Sequence, residues 1–275
     1  MKIKIATWNV NSIRSRIQNI LKWIEISKPD ILLLQELKCT NENFPYLEFE
    51  SLGYNIEVVG RKAYNGVAIF SKFKLDEVIK SLPLYDIEKE NDNEARYIEA
   101  LINADGNVFT IASVYVSNGT ECNLKNGEKL DETEKFYHKL RFYERIKERF
   151  KIAMHNDEKL SMGGDFNTCP ELVDMYSIKK DGDICCHKNE RAKLREILNL
   201  GIFDVFRKFH VEHDIFSWWR YRSGGWEKNE GLRLDLFLST PNLIDHIISS
   251  DIESKETRGE IKPSDHSPVV CEIEF

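Results

Sequence analysis

The first 36 residues combine two hydrophobic periodicities, and these constrain the fold more than any other feature of the chain. Residues 3–8 alternate in side-chain character, which predicts a β-strand. Apolar residues then recur at helical spacing from Ile13 to Ile24, and the Lys-Pro-Asp at 28–30 ends that helix. The apolar run ILLLQE at 31–36 is typical of a strand buried on both faces. A strand, a helix and a strand form a βαβ unit, which favours an α/β protein.

The rest of the chain repeats these two patterns. Strands are predicted at GVAIFS (66–71), RYIEALIN (96–103), VFTIASVYV (108–116), KLSMGGDFN (159–167), LRLDLFLS (232–239), HIISSDIE (246–253) and SPVVCEIEF (267–275). NADGN at 103–107 predicts a hairpin turn, and helices are predicted from Glu134 to about Ala153 and over 189–200. Neither a linker nor a low-complexity tract divides the chain. We therefore expect one domain over residues 1–275, with two packed sheets and helices outside them.

Composition limits the class of protein. With 41% hydrophobic and 31% charged residues, the chain suits a soluble globular protein with a substantial core. No apolar stretch approaches ~20 residues, and the N-terminus lacks the apolar segment of a signal peptide. We expect neither a membrane span nor secretion, and hence a cytoplasmic protein. A formal net charge of −7 argues against nucleic-acid binding through bulk positive charge, but it leaves room for a local basic strip.

The six cysteines include no CxxC pair. The sequence CCH at 185–187 could be read as part of a metal cluster, but adjacent cysteines are poorly spaced for zinc and no second pair accompanies them. Ordinary free thiols are the favoured interpretation.

Polar side chains end several of the predicted apolar strands. Asn9 and Asn11 end the first strand, and Asp165 and Asn167 end another, in each case at positions i and i+2 that share one side of a strand. Glu36 ends the apolar run at 31–36. Strand ends are where α/β folds bind ligands, and carboxylate oxygens suit Mg²⁺ or Mn²⁺. A solvated strand-end acid at Glu36 and a simple Asx-turn at Asp165 are the alternatives.

Asp235 interrupts the apolar strand LRLDLFLS, where an unpaired buried carboxylate would be costly. His266, in the turn KPSDHSP, is the economical partner, because a carboxylate fixes the tautomer of an imidazole and stabilises its protonated form. Asp265 would then point the other way, towards a metal or a bound water. Together with Tyr115, these oxygen ligands and the Asp-His pair suggest phosphate-ester chemistry. The chain contains neither an NTP-binding P-loop nor a GxSxG serine motif.

Seven segments in order from residue 6 to residue 269 resemble the exonuclease III family of apurinic/apyrimidinic (AP) endonucleases. They are ATWNVNSIRSR, LLLQELK, NGVAIFSK, GGDFN, FSWWRYRS, LRLDLFLS and KPSDHSPV. The resemblance implies a four-layer α/β sandwich of two packed mixed β-sheets flanked by helices, as in deoxyribonuclease I. It also implies Mg²⁺-dependent cleavage of double-stranded DNA 5′ to abasic sites, with 3′-to-5′ exonuclease and 3′-phosphatase activity on blocked 3′ ends.

Site roles follow from the resemblance position by position. Glu36 corresponds to the principal metal ligand, with Asn9, Asn11 and Asp265 nearby. Asp165 corresponds to the residue that activates or orients water, Asn167 to a phosphate contact and Tyr115 to the phenol near the scissile phosphate. Asp235 and His266 correspond to the Asp-His pair of the family. Ser117 replaces the proline that the family commonly has in YVSN, which bears on the placement of Tyr115 and Asn118.

The DNA contacts are predicted in two aromatic and basic segments. In FSWWRYRSGGW, Trp218 and Trp219 could line a pocket for an extruded sugar, with Trp219 preferred for that role, while Arg220 and Arg222 could contact phosphates. Core packing is the alternative for either tryptophan. The resemblance places the aromatic that matches Phe206 in the abasic-site pocket.

The sequence therefore predicts a monomeric DNA-repair enzyme. A phosphodiesterase of the same superfamily, such as a general nuclease or a phosphatase, is the nearest alternative. The second alternative is a catalytically inactive nucleic-acid-binding module. It would be expected to have lost at least one of Glu36, Asp165, Asp235 or His266, and the chain has all four.

Overall fold

The computed structural model describes residues 1–83, 94–119, 133–176, 185–221, 224–258 and 261–275. The strands in these residues are β1 Lys2–Asn9, β2 Ile31–Gln35, β3 Asn55–Val59, β4 Val67–Ser71, β5 Leu75–Ile79, β6 Tyr97–Ala104, β7 Asn107–Tyr115, β8 Leu160–Asp165, β9 Phe203–Asp204, β10 Trp218–Trp219, β11 Gly231–Leu232, β12 Asp235–Ser239, β13 Ile247–Ile252 and β14 Val269–Glu274. The helices are α1 Ile17–Ser27, α2 Tyr46–Glu50, α3 Glu134–His155, α4 Lys188–Leu198, α5 Val205–Phe209, α6 Pro241–Ile244 and α7 Lys255–Arg258. Short 3₁₀ turns occur at Asn41–Asn43 and Leu172–Asp174.

Two six-stranded mixed sheets form the body of the described structure. The first has the strand order β13-β14-β1-β2-β4-β3, and the second has the order β5-β6-β7-β8-β12-β9. In the first sheet β1 and β2 are parallel, and in the second β7 and β8 are parallel; the other pairs are antiparallel. The strands β10 and β11 form a separate short ribbon.

Three apolar clusters show that the two sheets lie between layers of helices. The central cluster joins side chains of both sheets, such as Ile5 and Leu33 of the first and Ile111 and Phe237 of the second. The next packs the other face of the first sheet against α1 and α2, and the third packs the other face of the second sheet against α3 and α4. The order is therefore helices, sheet, sheet, helices, and the predicted four-layer α/β sandwich is confirmed.

The element boundaries differ from the predictions in places where tertiary contacts set them. The first helix begins at Ile17 rather than at Ile13, and β12 begins at Asp235 rather than at Leu232. The short strands β3 and β5 were not predicted from the sequence. The predicted hairpin is present, because Asp105 and Gly106 both take positive φ between the paired strands β6 and β7.

The strand pairing brings the predicted site residues to one end of the molecule. Asn9 pairs with Gln35, directly before Glu36, across the parallel strands β1 and β2. In the second sheet Asp165 pairs with both Tyr115 and Asp235. Gly163 lets the two sheets approach near this end, because a Cβ there would lie 2.4 Å from the Phe237 ring and 2.7 Å from Leu33 Cδ1. Among the described residues, no helix is both long and apolar enough to cross a membrane.

Candidate active site

Glu36 lies immediately after β2, with its backbone in the left-handed region at a φ of 54°. Its carboxylate accepts hydrogen bonds from Asn9 Nδ2 at 3.0 Å and from the Tyr115 hydroxyl at 2.8 Å, and it pairs with Lys38 Nζ at 2.7 Å. Burial alone would raise the pKa of Glu36, but the Lys38 charge and the hydrogen bond from Asn9 outweigh it and lower the pKa. The side chain is 17% exposed and ionised, so it is not a solvated strand-end acid.

Two Asx-turns of the same design follow β1 and β8. The Asn11 N–H donates to Asn9 Oδ1 at 3.0 Å, and the Asn167 N–H donates to Asp165 Oδ1 at 2.8 Å. Asn11 and Asn167 lie just beyond their strands in left-handed backbone, at φ of 45° and 49°. The expectation that each pair shares one side of a strand is therefore wrong. The Asx-turn alternative is correct, and the turns nevertheless direct both pairs to the site.

Asp165 links the two sheets at this end. Its Oδ2 accepts from Asn9 Nδ2 at 2.9 Å and from Asn167 Nδ2 at 3.1 Å. Burial raises the pKa of Asp165 to about 7, a shift that the His266 charge opposes and Asp235 reinforces. A carboxyl group with a pKa near neutrality is suited to exchange a proton with water or substrate.

The predicted contact between Asp235 and His266 is present. His266 Nδ1 lies 2.8 Å from Asp235 Oδ2, and the same oxygen accepts from the Ser217 hydroxyl at 2.6 Å. His266 Nε2 faces Asp165 Oδ2 at 3.7 Å. Burial would lower the pKa of His266, but the charges of Asp235 and Asp165 raise it to about 10. The imidazole is therefore protonated at neutral pH.

Asp265 contacts the loop after β1 and the aromatic segment at Trp218. Its carboxylate accepts from Asn11 Nδ2 at 2.9 Å and from Trp218 Nε1 at 3.1 Å. These two hydrogen bonds hold Asp265 between the metal-ligand candidates of the first sheet and the aromatic segment.

The oxygen atoms around Glu36 fit a hard cation. Lys38 Nζ lies 2.7 Å from Glu36 Oε2 and 2.6 Å from Asn11 Oδ1, so the two oxygens already converge on one positive charge. Asp165, Asp235 and His266 also lie close enough together to bind a metal. We place the metal at Glu36 instead, because His266 Nδ1 and Asp235 Oδ2 are already paired with each other at 2.8 Å.

The candidate DNA contacts divide between surface and interior. Trp218 is half-buried beside Asp265, and its backbone bridges to His266. Arg220 and Asn118 are exposed, and they follow β10 and β7 respectively in the chain. The predicted contact Arg222 lies outside the described residues.

Two of the predicted contacts are contradicted by burial. Phe206 is 1% exposed within the central cluster, where it stacks on His210 and lies under the Arg233 guanidinium. Trp219 is 2% exposed, packs edge-to-face on Trp226 and donates from Nε1 to the Asn229 side chain at 3.1 Å. Both side chains have their partners inside the protein, so neither forms a wall of an open DNA-binding surface.

Comparison with known proteins agrees with this geometry. The profile of the Endonuclease/Exonuclease/phosphatase family matches residues 6–266. The chain belongs to this family. It is 28% identical to the exodeoxyribonuclease III of Haemophilus influenzae, over 98% of this chain and 100% of that protein.

Two solved structures of the family are similar over nearly their full length. An AP endonuclease from Archaeoglobus fulgidus has 34% identity and a TM-score of 0.88, with 99% of this chain and 100% of that chain covered. A 3′-5′ exonuclease (NExo) from Neisseria meningitidis has 33% identity, the same TM-score and the same coverage. The predicted resemblance is confirmed, and the chain is a phosphodiester hydrolase of a family of metal-dependent nucleases.

Several residues that contact the candidate site were not predicted from the sequence. Lys38, which neutralises Glu36, is two residues further in the quoted segment LLLQELK, so its position offered a signal. Ser217, which holds Asp235, gives no signal in a single sequence. The Tyr221 hydroxyl accepts a hydrogen bond from Arg16 at 3.0 Å and donates one to the Pro263 carbonyl at 2.8 Å.

Proposed function

We propose that this protein is a DNA-repair nuclease that cleaves the backbone of double-stranded DNA 5′ to abasic sites. We further propose 3′-to-5′ exonuclease and 3′-phosphatase activity on blocked 3′ ends. The observation that carries the proposal is the convergence of an ionised Glu36, a buried Asp165 and a protonated His266 at adjoining strand ends. The names of the relatives support it, since they include an exodeoxyribonuclease III and an AP endonuclease.

The metal site is proposed at Glu36, with Asn9, Asn11 and Asp265 around it. Mg²⁺, or alternatively Mn²⁺, bound there would neutralise phosphate charge and polarise the phosphoryl oxygens. Lys38 Nζ contacts two of the same oxygens, so a cation bound there would have to displace or share that ammonium group.

The remaining side chains have separate tasks in hydrolysis. Asp165, with a pKa near 7, orients a water molecule and accepts its proton. The His266 imidazolium donates a hydrogen bond to a phosphate oxygen and offsets the charge that develops on it, while Asp235 and Ser217 fix the ring. Asn167 and Tyr115 are proposed to contact the other phosphate oxygens, which requires the Asn167 amide and the Tyr115 hydroxyl to exchange hydrogen bonds that they now donate to Asp165 and Glu36.

Recognition of an abasic nucleotide is assigned to Trp218 and its neighbours. The half-buried Trp218 ring adjoins a cluster that includes Leu232 and Leu234, and Asp265 orients its indole. An apolar wall of this kind accepts an extruded sugar without a base. Arg220, Arg222 and Asn118 are proposed to contact the DNA backbone around it.

The wider assignments are a single catalytic domain over residues 1–275, a monomer and a cytoplasmic location. The face-to-face packing of the two sheets supports the single domain. The alternative of an inactive binding module is disfavoured, because the acidic residues and His266 are held by hydrogen bonds in one constellation.

The test compares two otherwise identical duplexes, one with a single abasic analogue and one intact, incubated with the protein and Mg²⁺. We expect one cut directly 5′ to the analogue, leaving a 3′-hydroxyl, and no cut in chelator. A third duplex with a 3′-phosphate end tests phosphatase activity. Equal cutting of the intact duplex would identify a general nuclease and contradict the proposal, and cutting in chelator would contradict the metal site.

A further inference from the structure

A buried ion pair lies behind the active site and takes no part in the chemistry described above. Lys139 of α3 and Glu190 of α4 are both 0% exposed, and Lys139 Nζ lies 2.6 Å from Glu190 Oε1. The other oxygen of Glu190 accepts from the His187 N–H at 2.9 Å and so caps α4. The pair therefore joins two helices of the outer layer.

Lys139 also reaches the loop that carries Asn167. Its Nζ donates to the Asn167 carbonyl at 2.6 Å. This residue takes left-handed backbone, and its side-chain Nδ2 donates to Asp165 Oδ2 and to the Val116 carbonyl at 2.8 Å. A fixed carbonyl sets the plane of the peptide that follows Asn167, and this restrains the direction of the side-chain amide.

The aliphatic part of Lys139 supports a second loop of the site. Gly119, next to Asn118, has a φ of 75°, and a Cβ on it would lie 2.9 Å from Lys139 Cδ. One side chain thus contacts the loop after β7 and the loop after β8. Burial opposes a charge on Lys139, but the adjacent Glu190 carboxylate outweighs burial and raises the pKa of Lys139.

We propose that the Lys139–Glu190 pair is a positioning device for Asn167 in the hydrolysis of the phosphate ester. Apolar residues of similar volume often stabilise a core as well as a buried ion pair does, so the fold alone does not require these charges. A hydrogen bond from a buried ammonium group fixes a carbonyl more firmly than a neutral donor would. The inference rests on the proposed function, because it assigns Asn167 to the phosphate.

The test is the double variant Lys139→Met with Glu190→Gln, in which the amide oxygen can still accept from the His187 N–H. We expect kcat on the abasic duplex to fall ~10- to 100-fold, because a side chain misplaced by about 1 Å costs that much. KM should change by less than about 3-fold, since Asn167 acts mainly in the transition state. When Asn167 is already replaced by alanine, adding the same double variant should lower kcat by less than about 2-fold. The reason is that the side-chain amide that Lys139 is proposed to position is no longer present.

A matched control exists on the same helix. Arg149 of α3 pairs with the buried Glu99 of β6 at 2.8 Å, without contact to Asn167. The double variant Arg149→Met with Glu99→Gln should lower the melting temperature and leave kcat as in the parent. Glu190→Gln alone should also lower kcat, though by less than the double variant, because Lys139 loses the carboxylate that sustains its charge but can still donate to Asn167.

The failure of this inference can be told from the failure of the proposed function. In the protein without substrate, the side-chain amide signals of Asn167, assigned by their loss in Asn167→Ala, should shift in the Lys139–Glu190 variant and not in the control. The positioning role would be overturned by unshifted amide signals. It would also be overturned if the double variant lowered kcat by the same factor in the parent and in Asn167→Ala. A parent protein that leaves the abasic duplex intact would instead overturn the proposed function, while the amide signals still test the contact.

Discussion

Asp165 and His266 face each other across 3.7 Å, and each is held by a different partner. Asn9 and Asn167 donate to Asp165, whereas Asp235 accepts from His266. The result is an imidazolium next to a carboxyl group whose pKa lies near neutrality. At the scale of single residues, protonation is thus decided by neighbours from distant parts of the chain rather than by residue type.

Glu36→Gln should abolish metal-dependent cleavage, with a loss on the order of 10³-fold or more, because it removes the charge of the principal proposed metal ligand. The glutamine oxygen can still accept from Asn9 and Tyr115, so the melting temperature should stay close to that of the parent. Calorimetric titration with Mn²⁺ measures the loss of metal binding directly. Binding as tight as in the parent would show that the cation lies elsewhere.

Asp235→Asn should reduce turnover by ~10²- to 10⁴-fold, as for other Asp-His pairs, because the charge that stabilises the imidazolium is lost. Single-turnover cleavage of the abasic duplex measures this. Ser217 should still hold the amide oxygen, so a variant that cleaves at the parent rate would make Asp235 a structural residue.

The same variant should change how stability depends on pH in metal-free protein. The pKa of His266 is raised from 6.5 to about 10, so its contribution is complete below pH 6.5 and is lost as the pH rises through about 10. Between pH 7.5 and 10 the parent should lose unfolding free energy on the order of a few kcal/mol, and Asp235→Asn much less. Asp165 also titrates in the folded protein, but with a pKa of about 7. Its effect on the unfolding free energy is therefore nearly complete below this pH window. Parallel denaturant curves for the two proteins would contradict the assignment.

The two-residue strand β10 gives its two adjacent tryptophans different environments. Successive side chains of a strand face opposite ways, and here Trp218 adjoins Asp265 while Trp219 enters the interior against Trp226. The neighbouring tryptophans therefore have different roles, which their identical chemistry conceals.

Trp218→Ala and Trp219→Ala should have opposite effects. Loss of the half-buried ring should weaken the preference for abasic over intact duplex by ~10-fold or more, with a small change in melting temperature. Loss of the buried ring should lower unfolding free energy by about 3–5 kcal/mol through the cavity it leaves. Binding is measured with Ca²⁺ in place of Mg²⁺ to slow cutting. A changed abasic preference in a stable Trp219→Ala protein would restore the original assignment of that residue.

Close contact between the two sheets at β8 gives a second prediction at the scale of elements. Gly163→Ala should destabilise the protein by about 1–3 kcal/mol, since the new methyl group would overlap the Phe237 ring and Leu33. Combination with Phe237→Leu should recover part of this loss, because it removes the nearest atoms. Urea denaturation of the three variants measures both effects. The proposed overlap would be contradicted if the double variant lost as much unfolding free energy as the two single variants added together.

The charge of the whole molecule has the same sign as the charge of its proposed substrate, DNA. The net charge of −7 repels DNA at long range, so binding depends on a few local cations near the site. Arg220 is exposed next to the half-buried Trp218. Lys74 lies before β5, near the opposite end of the second sheet, and serves as a control.

Arg220→Ala should weaken binding to abasic and intact duplexes alike and should lower the salt slope of the binding constant by about one unit. Lys74→Ala should leave the slope unchanged. Binding over a series of salt concentrations in Ca²⁺ measures both. An unchanged slope for Arg220→Ala would place the phosphate contacts on other residues.

The sequence by itself determined the layers of the fold and most of the acidic site. Continuous apolar runs and alternation fixed the strands, and polar residues at their ends pointed to Asn9, Glu36 and Asp165. The contact between Asp235 and His266 was predictable because a carboxylate inside an apolar strand requires a partner. These inferences depend on local pattern and on the cost of burying charge, which a single sequence expresses.

Only the tertiary structure decided which side chains near the site face outward. The burial of Phe206 and Trp219 depends on packing against Arg233, Trp226 and other residues that the chain brings together from a distance. In the same way, Lys139 joins Glu190 and Asn167 although 51 and 28 residues separate them. Periodicity shows that a residue is buried or exposed within its own element, whereas contacts between elements depend on how those elements pack in three dimensions.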